Sequence, residues 1–360
     1  MQNNFFKNLT GWAMAVTVLA AGLSSCEKDK DGTPEVAVGN MASGSIDPGE
    51  AGGGALITLT GSGIGQIRSI MFEKNNVPAA FQPTLNTESY LIFHVPDTAF
   101  GGPQNIVFTN TDGKTLTVPF TVLAFASVAS VSNYNFTTDT EITLTGNNLD
   151  DVTKVNFTGT TGNITIVSKS RKTLVIKMPA TDIARSTLDI TNSTGKTVTT
   201  QEFVNLDKAL KIFTDGYGAD FGDNSWGDGA TISSTEFKSG TKSLTKTYAK
   251  GNWHVFGFAN WWPGVASDPS YKYFSFWIKG GSADQTLYIT GDKKAGGGFG
   301  NSDRSSPVNV PANVWTYFKF ALSDLKLWQN GATFNQIGFW IPGPENADEK
   351  FHLDDVIITK

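Results

Sequence analysis

Along most of the chain, apolar side chains alternate with hydroxyl-bearing or charged ones at a period of two. Ile57-Thr58-Leu59-Thr60, Leu91-Ile92-Phe93-His94-Val95 and Ile142-Thr143-Leu144-Thr145 are typical. Gly, Asn, Asp and Pro break these runs about every ten residues, the pattern of short half-buried strands joined by tight turns. Asp112-Gly113 and Thr194-Gly195 fall between alternating runs, where hairpin turns belong. The same alternation continues after residue 208. It predicts strands over Tyr273–Lys279, Gln285–Thr290, Trp315–Leu322 and Gln336–Ile341, with a closing strand at Phe351–Ile358. Helical spacing never exceeds a turn or two, around Ser323 to Trp328. The chain is expected to be all-β.

One stretch is written twice. Ile57-Thr58-Leu59-Thr60-Gly61 returns 85 residues later as Ile142-Thr143-Leu144-Thr145-Gly146, and Ile70-Met71-Phe72 is answered by Val155-Asn156-Phe157. Phe108-Thr109-Asn110 returns as Ile190-Thr191-Asn192, and both are followed by a Gly-Lys-Thr triplet. Colinear matches with so small a drift mark a duplicated domain. Neither triplet has the upstream glycine that a phosphate-binding loop needs; Phe108 and Ile190 stand in its place.

The N-terminus departs from this pattern. An apolar run from Ala13 to Leu23 follows a short polar start, too short for the ~20 residues of a spanning helix but suited to a signal-peptide core. It ends in Leu23-Ser24-Ser25-Cys26, and Cys26 is the only cysteine. This arrangement resembles a bacterial lipobox, which implies a signal peptide over 1–25 and an acylated Cys26. Residues 26–34, rich in Glu, Lys and Asp, then form a polar tether. The implied location is the outer membrane, lipid-anchored and facing the exterior.

Composition narrows the chemistry. The 28 basic and 33 acidic residues leave a net charge of −5, which does not suit nucleic acid. A single cysteine and three scattered histidines exclude an internal disulfide and a histidine-rich metal site. Aromatic residues are unevenly distributed: residues 208–360 hold 27 aromatics, including eight of the nine tryptophans, whereas residues 35–207 hold 12 and no tryptophan. Any binding site is expected in this last segment.

The repeated unit resembles the IPT/TIG immunoglobulin-like domain, with copies over 35–124 and 125–207. The second copy lacks the Asp47-Pro48-Gly49 entry of the first and has Tyr134-Asn135-Phe136 there, so its entry turn is expected to differ. Residues 208–360, with Ser239-Gly240-Thr241-Lys242-Ser243-Leu244, the Phe276-Trp277-Ile278-Lys279-Gly280 strand and the closing Leu353-Asp354-Asp355-Val356-Ile357-Ile358, resemble family 4 and family 11 carbohydrate-binding β-sandwiches. A jelly roll is therefore expected. The serial order of lipobox, two such repeats and this module resembles the surface glycan-binding lipoproteins of Bacteroidota polysaccharide-utilisation systems. That resemblance implies non-catalytic capture of a polysaccharide and hand-over to a neighbouring importer complex. The balanced charge of the last segment, 15 basic and 15 acidic residues, favours a neutral polymer such as a β-glucan.

Flat aromatic rings cover the C–H face of a sugar while nearby polar groups bond its rim. Strand alternation directs Trp277, Tyr288 and Trp340 away from the core and suggests that they share one sheet face. Trp261 and Trp262, before Pro263-Gly264, are expected at an exposed strand end, with Trp253 close by. These six are the candidate glycan-binding residues. Related modules bind structural calcium where first and last strands meet, which would make Asp215 and Asp355 its ligands. No hydrolase pattern stands out: the acidic residues avoid the aromatic strands and mostly lie in turns. The rival role is that of an adhesin for a protein partner.

Overall fold

The computed structural model describes residues 40–296, 298–299 and 303–360. The signal peptide, Cys26 and the tether lie outside the described residues. The described chain is nearly all β, and its one α-helix is the single turn Leu322–Leu325. No helix among the described residues is long and apolar enough to cross a membrane.

The chain divides into two compact units, the first ending near Phe120 and the second running on to Lys360, with Phe100–Pro103 grouped with the second. The first is a small sandwich. One sheet pairs Ala42–Asp47, Leu56–Ser62 and Tyr90–His94; the other pairs Glu50–Ala51, Thr115–Val122, Gly102–Asn110, Ile67–Phe72 and Val77–Ala79 in that order. The alternation places Ile57, Leu59, Leu91 and Phe93 inside and fully buried. Asp112-Gly113 turns the long hairpin as expected, with Gly113 at φ 78°, a conformation glycine adopts without strain.

The second unit begins with a sandwich built on the repeat. Thr165–Lys169, Thr173–Lys177, Glu141–Asn147 and Ser127–Val131 form one sheet, and Lys154–Phe157, Leu188–Thr191 and Lys196–Val198 another. Phe136, Ile142, Leu144, Val155, Leu174 and Phe203 form its core. After the short 3-10 turn Leu206–Lys208, capped by the Asn205 side chain, the chain enters a larger sandwich.

Two sheets make up that sandwich. The front sheet runs Gly222–Asp223, His254–Ala259, Gln336–Ile341, Gln285–Gly291, Pro307–Val310. The back sheet runs Thr231–Ser233, Ser243–Tyr248, Glu349–Thr359, Tyr273–Lys279, Trp315–Ala321, with Leu210–Phe213 also paired to the Glu349–Thr359 strand. Every neighbour in both sheets is antiparallel. Phe256, Phe258, Leu287, Ile289, Ile337 and Phe339 of the front sheet meet Phe274, Phe276, Ile278, Leu353 and Val356 of the back sheet in one core. Burial of this size, at ~25 cal/mol per Å² of apolar surface, is what holds so large an antiparallel sandwich together.

Candidate functional site

Pairing register builds the site. On the front sheet, Tyr288 lies directly opposite Trp340, Trp340 opposite Val255, and Val255 bridges to Trp226. With inward neighbours at Leu287, Ile289, Phe339 and Ile341 buried in the core, Tyr288 and Trp340 must point outward. An aromatic band therefore crosses the sheet at right angles to the strands, and Trp253 leans over it from the start of the His254–Ala259 strand. Ring centroids are 5.1 Å apart for Tyr288 and Trp340, 6.2 Å for Trp340 and Trp253, and 6.1 Å for Trp253 and Trp226.

Within the band the rings have different parts. Trp226 is 64% exposed, Trp253 and Tyr288 are half-buried, and Trp340 is only 1% exposed. The expectation that Trp340 is an open platform is thus corrected: it is the floor beneath its neighbours, and its indole N–H donates to the Asp303 carbonyl at 2.8 Å. Trp226 was not among the candidate residues, yet it is among the most exposed rings of the domain. Its presentation was readable in the sequence. Asp223 accepts from the Ser225 backbone N–H and hydroxyl and from the Ala230 N–H, fixing the loop. At Gly227 (φ 85°) a Cβ would come within 2.5 Å of the His254 ring, so the turn that carries Trp226 requires glycine.

The open end of the band is polar. A cavity of about 280 Å³ at the sheet edge is lined by Asp284, Gln285, Thr286, Asn309, Val310 and Pro311. Beyond the far end of the His254–Ala259 strand, Trp261 and Trp262 are 64% and 84% exposed. Their loop is held by the Asn335 amide, which donates to the Asn260 and Trp261 carbonyls, and by Asn260, which accepts from the Gly264 N–H. The six-residue strand His254–Ala259 separates this pair from Trp253 by ~20 Å at ~3.3 Å per residue. The structure therefore makes two aromatic patches at opposite ends of one strand.

Trp277 requires a second correction. Its strand belongs to the back sheet, so it shares no face with Tyr288 and Trp340. It does point outward, as alternation demands, but the preceding sandwich covers it and leaves it 5% exposed. Its indole N–H donates to Asn133 Oδ1 at 3.0 Å, Tyr134 stacks on it at 5.7 Å and on Tyr317 at 4.6 Å, and the Lys238 ammonium sits 4.3 Å from its centroid. The altered entry of the second repeat is what makes this contact. Beside it a cleft of about 380 Å³ is lined by Tyr134, Thr200, Gln201, Glu202, Val204, Tyr317 and Lys319, but its tyrosine faces are already spent on each other.

Asp215 and Asp355, the expected calcium ligands, both accept hydrogen bonds from nearby N–H groups. Asp215 Oδ1 accepts the Thr241 and Lys242 backbone N–H groups at 2.6 and 2.7 Å, and Asp355 Oδ2 accepts the Asn135 amide at 3.1 Å. Among the described residues no group of three or more His, Cys, Asp or Glu is placed to hold a metal ion. Asp354 accepts the Lys238 and Ser239 N–H groups. Burial, followed by its neighbour's charge, raises the Asp354 carboxyl above the ordinary range; burial chiefly does the same for Asp355.

No family model matches the sequence, and no curated protein matches it. Solved structures do. The chain is similar to the surface glycan-binding protein PbSGBP-B from Prevotella bryantii at 16% identity, covering 89% of this chain and 99% of that one with a TM-score of 0.54, a likeness of fold. It is also similar to SGBP-B from a complex xyloglucan utilization locus in Bacteroides uniformis (17% identity, 90% and 99% covered, TM-score 0.41). A third is SGBP-B of the Bacteroides ovatus mixed-linkage glucan utilization locus, solved with a mixed-linkage heptasaccharide (14%, 89% and 75%, TM-score 0.33). These structural neighbours are glycan-binding proteins.

Proposed function

We propose that this protein is a non-catalytic glycan-binding protein that holds a neutral polysaccharide, with a β-glucan as the first choice, across the front sheet of its C-terminal sandwich. The observation that carries this reading is the aromatic band of Trp226, Trp253 and Tyr288 on the front sheet, exposed or half-buried beside the buried floor ring of Trp340 and flanked by polar side chains. Such a band suits sugar rings laid end to end, each stacked ring contributing ~0.5–1.5 kcal/mol beyond area burial. Trp261 and Trp262 extend the contact to polymers long enough to reach them. The fold shared with the Prevotella bryantii protein agrees with this reading.

The acidic groups near the face are engaged structurally. Asp303 pairs with Lys294, Asp223 fixes the Trp226 loop, and Asp292 accepts the Asn335 and Gln336 backbone N–H groups. These three carboxylates are committed to lysine or backbone partners, and capture without cleavage is the simpler chemistry. In the same proposal the repeats are IPT/TIG spacers. Acylated Cys26 holds the protein on the outer face of the outer membrane, and the polymer passes to an importer complex.

Affinity gel electrophoresis of residues 27–360 through neutral and acidic polysaccharides tests the reading. Retardation by a neutral glucan, lost in a Trp226→Ala/Trp253→Ala variant, is the expected result. A folded protein retarded by no glycan overturns it and favours the adhesin.

A further inference from the structure

The front face carries a cation that stacking on a neutral sugar does not use. The Arg304 guanidinium lies 5.6 Å from the Tyr288 ring centroid and 5.8 Å from that of Trp340, over the band, and its side chain is exposed. Its position is built rather than incidental. The preceding residue is fixed three ways: Trp340 donates to the Asp303 carbonyl, the buried Lys294 ammonium pairs with the Asp303 carboxylate, and Ser305 donates both its N–H and its hydroxyl to that carboxylate. Burial works against the charge on Asp303, but these donors outweigh it and hold its carboxyl below the usual range. The nearest acid is thereby committed to Lys294. Among the described residues no carboxylate forms an ion pair with Arg304, whereas Lys279 and Lys319 elsewhere in the domain are paired with Glu236 and Glu202.

A guanidinium lying over aromatic rings keeps its edge N–H groups free, in a planar fork that matches a carboxylate with two parallel hydrogen bonds. The rings beneath remove water from one side and strengthen the charge. Resting on the reading of the front face as a glycan site, we infer that Arg304 selects a polymer whose otherwise neutral chain bears a carboxylate, a uronosyl unit seated beside the half-buried Tyr288 against the exposed guanidinium. The guanidinium that would crowd a purely neutral ring there becomes its partner.

The test compares matched polymers on residues 27–360: glucuronoxylan, a glucuronic-acid-bearing mannan and a glucuronic-acid-bearing galactan, each native and after reduction of its carboxyl groups to alcohols, with a neutral β-glucan alongside. Calorimetry should show at least one native polymer bound about tenfold more tightly than its reduced form at low salt, with the advantage shrinking at high salt. Arg304→Gln should abolish that preference and leave affinity for the reduced form within about twofold. Arg304→Lys, which keeps the charge and loses the fork, should fall between. Equal affinity for native and reduced forms, or binding of neutral glucan alone with no effect of Arg304→Gln, overturns the assignment and leaves the glycan site standing. Failure of the folded protein to bind any polymer overturns both.

Discussion

Trp277 and Trp340 occupy corresponding places on opposite sheets of one sandwich: each is an outward position of an inner strand, flanked by residues buried in the common core. Each is nearly inaccessible, each donates its indole N–H to an oxygen, and each touches other aromatic rings. What covers them differs. The preceding sandwich, through Asn133 and Tyr134, lies on Trp277, whereas Trp340 lies under the domain's own Trp253, Tyr288 and Arg304. A face covered by another sandwich becomes a joint, whereas one covered by the domain's own Trp253, Tyr288 and Arg304 keeps those side chains at its surface. Outward direction alone does not make a tryptophan a binding residue.

Substitutions should separate the two faces. Trp277→Ala is expected to have the largest effect, a loss of ~3–5 kcal/mol in stability from the vacated ring and broken joint, with polysaccharide affinity of the folded fraction unchanged. Denaturant melts together with calorimetry check both halves; an affinity loss at full stability would break the comparison. Trp253→Ala should do the reverse, weakening binding by ~2 kcal/mol, about 30-fold in Kd, with a small change in melting. Asn133→Ala leaves the Trp277 N–H buried without its acceptor and should lower stability by ~1–3 kcal/mol, with no effect on affinity. The Trp261→Ala/Trp262→Ala pair, ~20 Å along the strand, should weaken long polymers by up to ~1.5 kcal/mol per ring and leave short oligosaccharides untouched.

The joint should also respond to pH. Asp354 and Asp355 hold protons more firmly when folded than in the unfolded chain, because burial disfavours their charge. Their contribution to stability is therefore full below the ordinary carboxyl value of ~3.9 and is lost as pH rises through their raised folded values. Asp354→Asn should flatten the fall in melting temperature over that rise, while leaving pH-independent terms in place. This effect is read from melting curves across the range.

Much of this was legible in the chain. Alternation assigned the all-β class, the inward set Phe274, Phe276 and Ile278, and the outward direction of Trp277, Tyr288 and Trp340, because side-chain direction is a local property of an extended backbone. The exposure of Trp261 and Trp262 was readable from Pro263-Gly264. The sheet to which each strand belongs was not legible, since it is decided by pairings such as Trp277 with Tyr317 or Tyr288 with Trp340, many residues apart. Nor was the cover on Trp277, which comes from the other sandwich. The backbone and amide N–H groups that reach the oxygens of Asp215 and Asp355 carry no sequence signature. Trp226 was missed although Asp223, Ser225 and Gly227 spell a tight loop around it.

The joint beneath Trp277 also settles how load travels. Force applied to the front sheet passes through the phenylalanine core to the back sheet. From there it divides among the Trp277 indole, the Asn135–Asp355 amide contact and the Lys319–Glu202 pair, while Val204 and Leu206 press the connecting segment against Ile357. The peptide between the sandwiches is thus reinforced on several sides and does not bear tension alone. These two sandwiches should behave as a single stiff lever, so that thermal motion of one carries the other with it and the front sheet keeps one orientation to the preceding sandwich.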